Sequence, residues 1–93
     1  MITLKELISK RGTVLVDVRS PWEYESEHLP GAQNIPLEEL SARINEFKAL
    51  HAPVVLYCRS GNRSGVAVNI LKQNGITDVC NGGSLTDLQS LLN

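Results

Sequence analysis

Two short runs limit what this chain can fold into. TVLVDV (residues 13–18) and PVVLYC (53–58) are apolar or β-branched at nearly every position. A strand with one face in water alternates apolar and polar residues, whereas a continuous apolar run reads as a strand covered on both faces. Each run is followed by residues of helical period, so the expected fold is α/β: a small parallel β-sheet flanked by helices on both faces. At 93 residues the chain has room for one domain, taken here as residues 1–93.

The remaining segments fill in that plan. TLKELISKRG opens with Thr3 as a helix cap and Glu6 three residues on, places Leu4, Leu7 and Ile8 on one face, and can close at Gly12. Ser20, Pro21 and Glu23 start a short helix, and Leu29-Pro30-Gly31 forces a turn. AQNIP (32–36) is a weak strand candidate. LEELSARINEFKAL predicts one amphipathic helix carrying Leu37, Leu40, Ile44 and Phe47. A helix from about Asn62 to Gly75 should turn Val66, Ile70 and Leu71 inward. DVC (78–80) is a short strand, and a last helix starts at Ser84 with Asp87 three residues on.

The sharpest chemical signal is VVLYCRSGNRSGVAV (54–68). Cys58 stands where a buried strand gives way to a helix, the place where ligands of open α/β sheets bind. The first helical turn has N–H groups without intrahelical partners and a partial positive charge. Those donors, with Arg59 and Arg63 nearby, favour the thiolate of Cys58. Gly61 allows backbone angles closed to other residues. Ser60, Asn62 and Ser64 can complete a cradle around one anionic group, with the sulfur at its floor. The plain alternative is a core cysteine that merely ends a strand, since free cysteine is among the most buried residue types.

Taken together, VLVDVRSPWEYESEHLPGAQNIP, VVLYCRSGNRSGVAV and GITDVCNGGS resemble the rhodanese-like domain family of sulfurtransferases. The first segment is similar to the family's Asp-x-Arg strand end, acidic-aromatic helix and His-x-Pro-Gly-Ala turn. The second resembles its active-site loop, and the third its closing strand and glycine pair. The resemblance implies a ping-pong sulfurtransferase with Cys58 as the persulfide-forming nucleophile. Arg59, Ser60, Gly61, Asn62, Arg63 and Ser64 would bind the substrate or persulfide, and no metal or organic cofactor would be needed. The spacing Cys-x4-Arg, CRSGNR here, resembles sulfurtransferase loops, whereas related phosphatase and arsenate-reductase domains carry one residue more. By the same analogy the donor is a small sulfur anion such as thiosulfate, and the acceptor a thiol or, in an assay, cyanide. The alternative is a catalytically weak sulfur-relay or binding module for a protein partner. The chain departs from the family pattern at Glu27 before His28 and at Ser84-Leu85-Thr86 after the glycine pair.

Other candidates have two readings each. Asp17 and Arg19 are either an acid and its guanidinium clamp or a paired buried carboxylate at a strand end. His28 is either a proton shuttle or a turn residue bonded to backbone. Cys80 is either a packed core thiol or a resolving partner for Cys58, and Trp22 and Tyr24 either belong to an acceptor surface or pack their helix. A zinc site from Cys58, Cys80, His28 and His51 lacks a close ligand pair. A formal net charge of -1 gives no basic footprint for nucleic acid. No apolar run approaches the ~18 residues of a membrane span. The N-terminus lacks the pattern of a secretory signal, so the expected location is cytoplasmic, although a leader already removed would leave no trace.

Overall fold

The computed structural model describes residues 2–92. Its centre is a four-stranded sheet in the order β2-β1-β3-β4, parallel throughout. In chain order the elements are α1 (Leu4–Ser9), β1 (Val14–Asp17), α2 (Pro21–Ser26), β2 (Gln33–Asn34), α3 (Leu37–Leu40), a 3-10 turn (Ser41–Arg43), α4 (Ile44–Lys48), β3 (Val54–Cys58), α5 (Asn62–Gln73), β4 (Val79–Ser84) and α6 (Leu85–Leu92).

Both faces of the sheet are covered, as the two apolar runs require. Along β3 the side chains alternate between two cores. Val54, Leu56 and Cys58 enter one with Leu40, Phe47, Ala67, Val68 and Leu71. Val55 and Tyr57 enter the other with Ile8, Leu29, Leu85 and Leu88. Helices α3, α4 and α5 therefore pack on one face, and α1 and α6 on the other. All five residues of β3 are buried, because it lies between β1 and β4 and under helices on both sides.

Three elements differ from the sequence expectation. The helix foreseen over 37–50 is broken by the 3-10 turn at Ser41–Arg43, although Leu40, Ile44 and Phe47 still share one core. Burial of those side chains decides the path, and Ser41, a weak helix former, does not hold the α-helical ladder. The inward face of α5 is Ser64, Ala67, Val68 and Leu71, the i, i+3, i+4, i+7 set, so Val66 falls on the outer side and is 50% exposed. The strand expected at 78–80 runs on to Ser84. It continues through the glycine pair by a bulge: Leu56 pairs with Asn81 but Tyr57 pairs with Gly83, leaving Gly82 as the extra residue. A side chain at Gly82 has no space, since a Cβ there would lie 2.7 Å from Val55 Cγ1.

Candidate functional site

Parallel pairing brings the carboxyl ends of β1 and β3 side by side, with Asp17 opposite Tyr57. The chain leaves β3 at Cys58 and enters α5 four residues later. Gly61, at the cap of α5, has φ +94°, a left-handed conformation that costs a residue with a β-carbon about 1 kcal/mol or more. That twist turns the Gly61 N–H onto Cys58 Sγ at 3.0 Å, and the Ser64 N–H reaches the same sulfur at 3.5 Å. The Ser64 hydroxyl stands 3.4 Å from Sγ. Cys58 is fully buried. Burial alone would raise the thiol pKa, but the Ser64 hydroxyl and the backbone N–H groups of Ser64, Ser60 and Gly61 outweigh it and leave the pKa below the usual thiol value.

The remaining loop residues divide between floor and rim. Ser64 is fully buried beside the sulfur, while Arg59, Ser60 and Asn62 are exposed. Arg63, expected to brace the loop or line its far side, points to α2. Its Nη1 and Nη2 donate to Glu23 Oε1 and Oε2 at 2.8 and 3.1 Å. Glu23 also accepts from the Ser20 N–H and hydroxyl, at 3.1 and 2.9 Å. The Arg63 guanidinium, opposed by burial and helped by these Ser20 donors, holds the Glu23 carboxyl down at about 2. Arg59 borders an open cleft of about 250 Å³ shared with Arg19, Trp22, Glu23, Ser26, Glu27, Leu85 and Thr86.

Asp17 and Arg19 are a buried pair: Arg19 Nη2 lies 2.7 Å from Asp17 Oδ2, and the Arg19 backbone N–H donates to Asp17 Oδ1 at 2.9 Å. The same guanidinium bonds the Glu27 carbonyl, tying the end of β1 to the end of α2. His28 Nδ1 donates to the Tyr24 carbonyl at 2.8 Å, and its ring stacks on Tyr24. Both arrangements are structural. Cys80 pairs across the sheet with Val55 and packs in the core opposite that of Cys58, so the two thiols stand on different faces. Both are free. Burial, with Asp78 nearby, pushes the Cys80 thiol up.

Two site residues escape a reading of the sequence alone. Glu23 looks like a helix-capping residue, and its tie to Arg63 spans 40 positions. Asn81 looks like part of a turn, yet it reaches both the loop and Ser64. Local spacing carries no sign of either contact. The one available hint was an acid in a helix beside a loop holding two arginines.

Comparison with known proteins places these features in company. A profile of the rhodanese-like domain matches residues 2–84. The protein YqhL of Bacillus subtilis (strain 168) is 46% identical over 71 residues, 76% of this chain, and the matched part spans only 56% of YqhL. Thiosulfate sulfurtransferase PspE of Escherichia coli (strain K12) is 43% identical over 74 residues, covering 78% of this chain and 71% of PspE. A solved structure described as rhodanese with anions, from E. coli, superposes with a TM-score of 0.73 at 42% identity, covering 81% of this chain and 89% of that one.

Proposed function

Since the chain belongs to the rhodanese-like domain family, we propose that it is a sulfurtransferase that carries sulfane sulfur as a persulfide on Cys58. The observation that carries this reading is the floor of the loop, where two backbone N–H groups converge on a buried cysteine sulfur with a lowered pKa. In the first half-reaction the Cys58 thiolate attacks the outer sulfur of thiosulfate. The S–S bond of thiosulfate breaks, sulfite leaves with the bonding pair, and a Cys58 persulfide anion remains. In the second, cyanide or an acceptor thiolate takes the outer sulfur and the Cys58 thiolate returns. The covalent intermediate divides one difficult transfer into two easier ones.

The loop supports this in three ways. The backbone N–H groups of Gly61 and Ser64, already aimed at the sulfur, need no reorganisation as negative charge moves there. Arg59, exposed at the mouth of the cleft, attracts an anionic donor. The short spacing from Cys58 to Arg63 suits a narrow ligand. Cys80 takes no part in this scheme, and the domain acts as one unit over residues 1–93. The chemistry needs a reduced thiol, which fits the reducing cytoplasm.

A protein acceptor is the second reading, favoured by Trp22, a large apolar side chain 71% exposed beside the cleft. The deciding experiment is intact mass after incubation with thiosulfate, with Cys58→Ser alongside. The reading requires a gain of one sulfur atom that cyanide reverses and the variant lacks. No gain in folded, reduced protein would overturn thiosulfate as donor and leave transfer between partner proteins.

A further inference from the structure

Beside Cys58 stands a chain of polar groups whose direction can be worked out. The Asn81 side chain accepts from the Gly83 N–H at 2.9 Å through Oδ1 and donates to the Gly61 carbonyl at 2.9 Å through Nδ2. An N–H can only donate and a carbonyl can only accept, so these two backbone groups fix which end of the amide is oxygen. Ser64 Oγ lies 2.7 Å from that same Oδ1. Its single proton therefore goes to Asn81, and the face of the hydroxyl turned to Cys58 Sγ is a lone pair. The resting order is Cys58 S–H to Ser64 Oγ, then Ser64 O–H to Asn81 Oδ1, a chain that supports the neutral thiol.

We propose that Asn81 is a positioning residue that competes with Cys58 for the Ser64 hydroxyl proton, so that Cys58 ionises fully only when Ser64 lets go of Asn81. On ionisation the S–H proton leaves to solvent. The Ser64 hydroxyl then rotates its own hydrogen from Asn81 Oδ1 to Sγ, with no covalent bond of Ser64 broken, and Asn81 keeps its bonds to Gly83 and Gly61. The proposal rests on Cys58 being the reacting sulfur of the proposed function. Asn81 stands in register with Leu56, just before the bulge at Gly82, and the bulge brings Gly83, whose N–H bonds the Asn81 oxygen, opposite Tyr57.

The charged groups around the sulfur come from several elements. They are Arg63 of α5 with Glu23 of α2, Arg59 of the loop, and the Asp17–Arg19 pair at the end of β1. Strand β4 brings no charged residue, and its Cys80 faces the other core. None of these charged groups changes in the variants below, which all share the Cys80→Ser background.

The test is a pH titration of thiolate ultraviolet absorbance in Cys80→Ser protein, taken as the difference from the same protein carrying Cys58→Ser. This signal reports ionisation whether or not sulfur is ever transferred, so it can fail separately from the mass experiment. Asn81→Ala releases the Ser64 proton and should lower the Cys58 pKa by about half a unit to one unit, the worth of one neutral hydrogen bond. Asn81→Asp holds that proton more firmly and adds charge, so it should raise the pKa. Ser64→Ala should also raise it, and Asn81→Ala should then have no further effect. A looser loop would carry the Gly61 N–H away from the sulfur and raise the pKa in both Asn81 variants. A rise or no change in Asn81→Ala, or the same shift with and without Ser64, would overturn the proposal.

Discussion

Replacing Glu23 by glutamine removes the charge that fixes Arg63 while preserving the shape of the side chain. The Glu23 pKa falls from 4.5 to about 2 in the folded protein, with the Arg63 bond as its largest cause. A shift of that size corresponds to an upper bound of ~3–4 kcal/mol at ~1.4 kcal/mol per unit. The Arg63 side chain is 38% exposed, and solvent screening reduces the figure to about 1–2 kcal/mol. The folded pKa is depressed, so this stability is present above the unfolded value of 4.5 and is lost as pH falls toward about 2. The assay is urea unfolding of both proteins across that range. Near neutral pH the midpoint of Glu23→Gln should lie about 1 M lower, taking a slope of ~1–2 kcal/mol per M for a small domain. The two proteins should converge as pH approaches the folded pKa. A gap of the same size at every pH would refute an ionic origin and leave only altered packing, and no gap at neutral pH would refute the coupling altogether.

Two further outcomes follow from the geometry of β4. Gly82→Ala places a Cβ 2.7 Å from Val55 Cγ1 and 3.1 Å from Leu88 Cδ1, with the Leu56 carbonyl at 3.3 Å. Overpacking against a branched side chain and backbone should cost about 2–3 kcal/mol, read as a fall in Tm of ~10 °C or more. Cys80→Ser should leave sulfur loading from thiosulfate unchanged by intact mass, because Cys80 sits on the opposite face of the sheet from Cys58. Loss of loading in folded Cys80→Ser would show that both thiols take part.

What the chain reveals in one dimension is whatever depends on neighbours in sequence. The runs at 13–18 and 53–58 specify covered strands, and the reversal at Gly61 is legible because glycine, arginine and small polar residues fall together after Cys58. The break at Ser41–Arg43 is not legible, since the apolar spacing on either side fits an unbroken helix. The length of β4 is hidden for a related reason: two glycines read as a turn, and only pairing with β3 keeps them in the sheet. Glu23 and Asn81 lie 40 and 17 positions from the residues they hold, and no periodicity reports contacts across such separations.

The union of Glu23 with Arg63 also limits how much negative charge the loop can accept. Both Nη atoms of Arg63, the arginine that closes the Cys-x4-Arg spacing, are already bonded to a carboxylate. Thiosulfate, a tetrahedral dianion, would find its counter-charge in Arg59 at the exposed mouth, whereas the persulfide monoanion left on Cys58 is matched by N–H groups alone. Selectivity among anions would then reside partly in α2, whose Glu23 occupies the Arg63 guanidinium, and a chain that lost Glu23 would widen the range of anions its loop admits.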